Sequence, residues 1–321
     1  MAEPRRVFLT GALGFIAQRL ADHYRERGAE VRGMDVRADP AQDVVAGDVS
    51  KPGDWQAHAE GADLFIHTAA VLTLAGDPAA VWDVNVMGTR NAVDAAAAAG
   101  AGRFVQLSSV LAFSWDFPDG VDERHPVRPN GAPYVDTKVA SEQVVLQAHA
   151  AGEIAVTVIR PGDVWGPRSR PWTILPLEMI RQGTFMVPRG GVFSPIYVDN
   201  LVHGISLAAE KDEGAGEVFI LSDGVGVPNE EFFGRYFTML GKKGPRTLPR
   251  AALSAFARVA DATARGRRRE SEMSPNAVAY LARRGTYSIA KARRVLGYSP
   301  AVDLDEGFRR TEAWLREERL I

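Results

Sequence analysis

Cysteine is absent from this 321-residue chain, which excludes disulfide cross-links, thiolate nucleophiles and cysteine metal ligands. Charge of one sign is not in excess: 38 basic and 40 acidic residues leave a formal net charge of −2. No general attraction to nucleic acid or to an anionic membrane follows from that balance. Histidine is scarce, six in all, and no pair stands at metal-ligand spacing, so no metal is expected. No apolar run approaches the roughly 18 residues that a membrane span requires. Strand character begins near residue 6, which leaves no room for a secretory signal. A soluble, cytoplasmic protein is the expectation. Internal repeats are also missing. What remains is an ordinary globular composition, 46% hydrophobic and 24% charged, in a chain long enough for a large domain and a second lobe.

Tyr134-Val135-Asp136-Thr137-Lys138 is the most informative stretch. On a helix, residues four apart share a face, so the lysine ammonium can lie beside the phenol. A free tyrosine has a pKa of about 10. A cation held close favours the phenolate and makes the phenol a proton-transfer group. By itself such a pair is more often a surface feature, so its neighbours decide.

The first neighbour is at the N-terminus. Arg6–Leu9 reads as a strand, Thr10-Gly11-Ala12-Leu13-Gly14-Phe15-Ile16-Ala17 as a glycine turn, and the segment up to Gly28 as a helix. Strand, glycine turn and helix N-terminus form an anion cradle for a pyrophosphate. Ala17 stands where a third glycine is expected, a change of one methyl group. The next strand, Glu30–Met34, leads into Asp35, about twenty residues on, where a ribose-binding carboxylate belongs. A carboxylate there favours NAD and repels a 2′-phosphate, whereas Arg37 is the residue that would pair with one, so NADP stays open behind NAD.

Strand-like runs at Arg6–Leu9, Glu30–Met34, Asp43–Ala46, Leu64–His67, Phe104–Leu107 and Ala155–Ile159 alternate with helical segments, including a buried alanine-rich helix over Ala79–Ala99. That alternation predicts an α/β fold with a Rossmann-type, doubly wound parallel sheet. After Arg160 it breaks down, and a smaller C-terminal lobe, interleaved with the sheet, is expected. Ile196–Tyr197 and Val218–Leu221 are assigned back to the sheet. The expected division is residues 1–160 with about 196–222 for the nucleotide domain, and 161–195 with about 223–321 for the substrate lobe.

In this order the motifs resemble the extended short-chain dehydrogenase/reductase superfamily, the group of nucleotide-sugar epimerases and 3β-hydroxysteroid dehydrogenases. The resemblance covers nearly the whole chain: the loop Thr10–Ala17, Gly47-Asp48-Val49, His67-Thr68-Ala69-Ala70, Asn85-Val86-Met87-Gly88-Thr89, Phe104–Ser109, Tyr134 with Lys138, Arg160–Pro167, Ile196–Asn200 and Lys291–Tyr298. It implies a catalytic set of Ser109, Tyr134 and Lys138. Tyr134 is the acid/base, Lys138 lowers its pKa and holds the nicotinamide ribose, and Ser109 donates a hydrogen bond to the substrate oxygen. It implies NAD contacts at Thr10, Gly11, Leu13, Gly14, Phe15, Ile16, Asp35, Val36, Arg37, Asp48, Val49, His67, Thr68, Ala69, Ala70, Asn85, Leu107, Ser108, Pro161, Gly162 and Val164, together with Tyr134 and Lys138. For His67 a packed strand-end role is an equal alternative. For Ser108 a backbone role stands beside the cofactor one.

The reaction class is narrowed by neighbours. Val110 and Leu111, beside Ser109, are aliphatic, which argues against a dehydratase and leaves a dehydrogenase ahead of an NAD-retaining epimerase. A non-catalytic nucleotide sensor is the third possibility. Relatives acting on sugar nucleotides usually have asparagine where this chain has Asp163, and an unpaired carboxylate there would repel a diphosphate. Asp163, Trp165 and Trp172 are the expected substrate contacts, while Arg168, Arg170, Arg181 and Arg189 keep a phosphate reading alive. The run Ser274–Tyr298 is more similar to the steroid-dehydrogenase relatives. An apolar small-molecule alcohol or ketone is expected as substrate. Relatives often dimerise, and the helices at Ala79–Ala99 and Tyr134 are the candidates for a homodimer contact. Gly266-Arg267-Arg268-Arg269-Glu270 reads as a solvated turn.

Overall fold

A computed structural model describes residues 3–74, 76–266 and 274–321. The basic run at 267–269 therefore lies outside the described residues. The first half alternates as the sequence pattern predicts: β1 (Arg6–Thr10), α1 (Phe15–Glu26), β2 (Glu30–Asp35), β3 (Val44–Ala46), β4 (Leu64–His67), α2 (Pro78–Trp82), α3 (Gly88–Ala98), β5 (Arg103–Leu107), α4 (Pro133–Ala150) and β6 (Val156–Pro161). Shorter pieces follow: β7 (Asp163–Trp165), α5 (Leu175–Gln182), β8 (Met186–Pro188), β9 (Val192–Phe193), β10 (Pro195–Tyr197), α6 (Val198–Glu210), β11 (Glu217–Leu221), β12 (Val227–Pro228), α7 (Asn229–Met239), β13 (Arg246–Leu248), α8 (Arg250–Gly266), α9 (Pro275–Leu281) and α10 (Leu304–Glu317).

Seven strands form one parallel sheet in the order β11-β6-β5-β4-β1-β2-β3. Strand order reverses between β1 and β4, and the loops after those two strands meet there, which is where open α/β sheets bind ligands. Both faces are covered, as a parallel sheet requires. Phe8, Phe65 and Phe104 point to the face that carries α3 and α4, and stack in a row with centroids 5.0 and 5.4 Å apart. Their strand neighbours Leu9, Ile66 and Val105 point the other way, toward α1 and α6. Each buried ring of that row contributes roughly 1.5–3 kcal/mol.

Two sequence expectations change. Ile196–Tyr197 does not join the large sheet. After Pro161 the chain turns at Gly162, whose added Cβ would lie 2.5 Å from the Ser194 carbonyl, and β7 pairs with β10 in a separate two-stranded sheet. Val218–Leu221 does return, as β11 beside β6. The helix expected over Ala79–Ala99 is interrupted by a π-helical turn, Asp83–Met87, between α2 and α3. The extra residue rotates Asn85 into the interior, where it is 2% exposed.

A second, aromatic core lies apart from the sheet, in which Trp165 packs against Tyr197, Phe232 and Phe308 at 4.5–5.3 Å between centroids. Among the described residues no helix is long and apolar enough to cross a membrane.

Candidate active site

The glycine turn is built by steric necessity. Gly11 has φ +65°, and a Cβ on it would lie 2.9 Å from Ala69 in the loop after β4. Gly14 caps α1 with no side-chain partner for the first-turn N–H groups, and its own N–H donates to the Gly11 carbonyl at 2.9 Å. A side chain at Gly11 would press on the loop after β4 and one at Gly14 on the Gly11 carbonyl, so both glycines keep the turn tight, with the helix N–H groups that can meet a pyrophosphate at its end. Asp35, at the end of β2, accepts from the Leu13 N–H (3.1 Å) and the Val36 N–H (2.8 Å), so its carboxylate is tied to the glycine turn. Val36 and Arg37 are exposed beside it. Asp48 lies across from them and folds its own turn, accepting from the Ser50 hydroxyl and N–H, which holds its carboxyl below the usual range. These residues fit a dinucleotide.

Behind this surface, several residues expected at the cofactor have interior duties. His67 is 1% exposed, and its two ring nitrogens meet the hydroxyls of Thr10 (2.6 Å) and Thr89 (3.2 Å). Burial and the Lys138 charge push the imidazole down to about 3, so it is neutral. Of its two expected roles, the packed one is what its surroundings provide. Val49 is buried against Gly88, where a Cβ would lie 2.7 Å from the Val49 side chain. Asn85 uses its carbonyl for the Val71 N–H (2.8 Å) and its amide for the Val71 carbonyl (3.1 Å) and the Thr137 hydroxyl (3.0 Å). It fastens the loop after β4, with Thr68, Ala69 and Ala70, to α4.

Helix α4 begins where its sequence says it should. Pro133 occupies the first position, and the Asp136 carboxylate accepts from the N–H groups of Asn130 and Gly131. Tyr134 therefore projects from the first turn, at the end of the sheet. The Lys138 ammonium lies 5.6 Å from the Tyr134 ring centroid and donates to the Leu107 carbonyl at 2.7 Å. Ser109 follows β5, and its hydroxyl accepts from the Leu111 N–H at 3.1 Å and lies near enough to the Tyr134 phenol to lower its pKa. The three expected catalytic side chains converge.

Their electrostatics differ from the sequence expectation. Burial pushes the Tyr134 phenol up to about 12, with the Ser109 hydrogen bond pulling the other way. The amine of Lys138 is pushed down to about 8 by burial, with the Glu142 carboxylate opposing. The phenol is thus a protonated group at neutral pH, and desolvation outweighs the attraction of the nearby cation. Ser108, next to Ser109, faces the opposite way and donates to Glu142 at 2.5 Å in the interior, away from the cofactor surface.

The side of Tyr134 expected to face substrate is aromatic. Tyr134, Leu74, Trp115 and Trp172 pack against one buried cluster that includes Leu111, Val135 and Tyr280. Trp172 stacks on Tyr280 at 5.2 Å, and Trp115 meets Tyr280 edge-on at 6.1 Å. Of the three expected substrate residues, Trp172 is the one that packs against the same cluster as Tyr134. Trp165 is fully enclosed in the separate aromatic core. Asp163 is 1% exposed and does not face a ligand: it accepts from Arg283 at 3.1 Å, from the Ser194 N–H at 2.9 Å and from the Tyr280 hydroxyl. The expected repulsion of a diphosphate by that carboxylate is cancelled by the guanidinium. Arg168, Arg170 and Arg181 are exposed and turn to Gln18, Glu178 and the Leu320 carbonyl. Trp115, Leu74 and Tyr280 were not anticipated. Trp115 had a signal, since it lies six residues after Ser109 in the connection to α4.

Two surface cavities of about 500 and 510 Å³ lie elsewhere, the first at the β11 edge and the second over the 287–294 segment. The polar wall of the first serves that edge, where Glu123 accepts from the Ile220 N–H and Lys291 donates to the Val218 carbonyl.

Taken together, a glycine cradle at a sheet switch point and a Ser–Tyr–Lys cluster beside it define a dinucleotide-dependent enzyme of the α/β class. Residues 7–221 match the NAD dependent epimerase/dehydratase family. The chain belongs to that family, within the extended short-chain dehydrogenase/reductase superfamily. It is 32% identical over 320 residues to a 3-beta-hydroxysteroid dehydrogenase of Mycolicibacterium neoaurum, covering 92% of this chain and 87% of that one. It is 31% identical over 321 residues to a 4-hydroxy-2-methyl-3-oxo-4-farnesyl-3,4-dihydroquinoline-1-oxide ketoreductase of Stigmatella aurantiaca, covering 94% of each. Among solved structures, DesIV, a dTDP-glucose 4,6-dehydratase of Streptomyces venezuelae with NAD and TYD bound, superposes with a TM-score of 0.78 at 24% identity over 98% of each chain.

Proposed function

We propose that the chain is an NAD-dependent oxidoreductase that interconverts a hydroxyl and a carbonyl on an apolar small molecule, in the manner of the hydroxysteroid dehydrogenase and ketoreductase relatives. The observation that carries this reading is the position of Tyr134, whose ring lies 5.6 Å from the Lys138 ammonium and near Ser109, and which packs against the same buried cluster as Trp115 and Trp172.

Gly11, Gly14, the first turn of α1 and Asp35 would hold the dinucleotide, and bound NAD would supply or accept the hydride. In reduction, Tyr134 donates its proton to the substrate oxygen as negative charge develops there. A phenol raised to about 12 is almost wholly protonated at pH 7, so the donor is ready without prior ionisation. Ser109 hydrogen-bonds the same oxygen and stabilises that charge. Lys138, held by the Leu107 carbonyl, supplies a positive charge next to the phenol as it gives up its proton. In the oxidative direction Tyr134 must first lose a proton, so oxidation should accelerate with pH. Residues 1–160 with 196–222 are read as the nucleotide domain and the remainder as the substrate lobe. The cytoplasm suits the cofactor. A homodimer through the 78–98 helix segment would cover Trp82 and Met87, which are 45% and 47% exposed.

Turnover of NADH with a panel of apolar cyclic ketones tests the reading. Wild-type protein should consume NADH, and Tyr134→Phe should do so at least a hundredfold more slowly. Equal rates in the two would remove the proposed proton donor. Tightly retained NAD and epimerisation of a sugar nucleotide, with no net NADH consumption, would replace the reading with the epimerase one.

A further inference from the structure

The Ser108 hydroxyl and the Glu142–Arg160 ion pair remain without a role in the chemistry above. We propose that Glu142 is a positioning residue of the redox site, fixing Lys138 in its seat and supplying the negative charge that keeps its amine protonated. This rests on the role given to Lys138 in the proposed function.

Tyr134, Lys138 and Glu142 follow one another at four-residue intervals along one side of α4. Glu142 is 1% exposed. One of its oxygens accepts from the Ser108 hydroxyl at 2.5 Å and from Arg160 Nε at 2.9 Å; the other accepts from Arg160 Nη2 at 2.6 Å. Ser108 extends from β5 and Arg160 belongs to β6, so the carboxylate joins α4 to two adjacent strands. Three consecutive residues at the end of β5 then each hold one residue of α4. The Leu107 carbonyl takes Lys138, the Ser108 hydroxyl takes Glu142, and the Ser109 hydroxyl meets Tyr134. Displacing Glu142 would loosen the register that brings the other two together.

A brace alone would not need charge. Removing two ions from water costs several kcal/mol per ion, and a well-packed apolar pair of the same volume often serves stability as well or better. The carboxylate has an electrostatic use here. Lys138 is enclosed, with Tyr134 and Glu142 on its own helix, the Leu107 carbonyl on β5 and neutral His67 from β4; Arg160 of β6 lies on the other side of Glu142. Glu142 is the anion that acts on the amine against burial. Arg160, stacked 4.9 Å over Phe113, holds that anion in place from behind.

The test reads the Lys138 amine directly, in cofactor-free protein, by NMR of 13C-labelled lysine side chains assigned through Lys138→Arg. Glu142→Gln should lower the titration midpoint by about one pH unit, a tenfold loss of proton affinity, and Glu142→Asp should restore most of it. Where Gln alone leaves Arg160 uncompensated and prevents folding, Glu142→Gln with Arg160→Gln removes both charges and should show the same direction of shift. An unchanged midpoint in a folded Gln variant would overturn the proposal. No substrate or NAD enters the measurement, so its failure is distinguishable from failure of the oxidoreductase reading, which is tested by Tyr134→Phe turnover.

Discussion

The nucleotide side and the substrate side of this site handle polarity in opposite ways. Around the glycine turn, polar groups are left facing outward: the first-turn N–H groups of α1 have no side-chain cap, and the Asp35 carboxylate stays at the surface of the turn. Across the cleft the strongest polar groups are consumed internally. Asp163 and Arg283 neutralise one another in the interior, Arg283 stacks 3.8 Å over the Tyr280 ring, and what faces Tyr134 is aromatic and aliphatic. An anion is recognised by dipoles that were never satisfied by the protein. On the proposed reading, an apolar ligand would meet a wall from which the charges have been paired away.

That contrast can be broken at several points. The largest effect should come from Tyr134→Phe, where loss of the proton donor lowers kcat by about 10²–10⁴-fold while NAD affinity, read by fluorescence titration, stays within a fewfold of wild type. Next is Asp163→Asn, which leaves the Arg283 cation buried without a counter-charge. Breaking such a pair costs about 3–5 kcal/mol, visible as a lower urea midpoint, and NAD binding to the protein that remains folded should be unchanged. A smaller effect is expected at Asp35→Ala, with NAD affinity reduced by about tenfold, the size of one or two lost charge-assisted hydrogen bonds; unaltered affinity would contradict the ribose assignment. Trp115→Ala should raise KM for an apolar ketone several-fold and leave NAD affinity alone.

A pH effect on stability should come from His67. Its pKa is near 3 in the folded chain, well below the ordinary 6.5, so between those values the unfolded chain binds the extra proton. Stability is then full above about pH 6.5 and is lost as pH falls toward 3. Urea titrations at stepped pH should show this slope, and His67→Gln should flatten it.

The nucleotide side was legible in the sequence because its constraints are local. Gly11, Gly14 and Asp35 stand at fixed spacings, and the strands they follow alternate cleanly with helices. The substrate side was not, because its groups meet only through tertiary packing. Nothing near Asp163 in sequence announces Arg283, 120 residues away, and without that partner the carboxylate looked like a barrier to phosphate. Trp165 and Trp172 are seven residues apart and look alike in sequence, yet one is core and the other packs against the cluster that Tyr134 also meets. The YxxxK spacing correctly placed lysine beside tyrosine, but not the outcome for the phenol, since burial, which opposes the cation, cannot be read from spacing. Glu142 did have a sequence signal, a third polar residue at the same four-residue interval.

The most direct test of the whole account is simultaneous measurement of NADH oxidation and product chirality, with an apolar cyclic ketone and with a sugar nucleotide offered in parallel to wild-type and Tyr134→Phe protein. Stoichiometric NADH oxidation with the ketone alone, lost in the Phe variant, is the predicted result. Epimerised sugar nucleotide without NADH turnover, or ketone reduction that survives the Phe substitution, would contradict it.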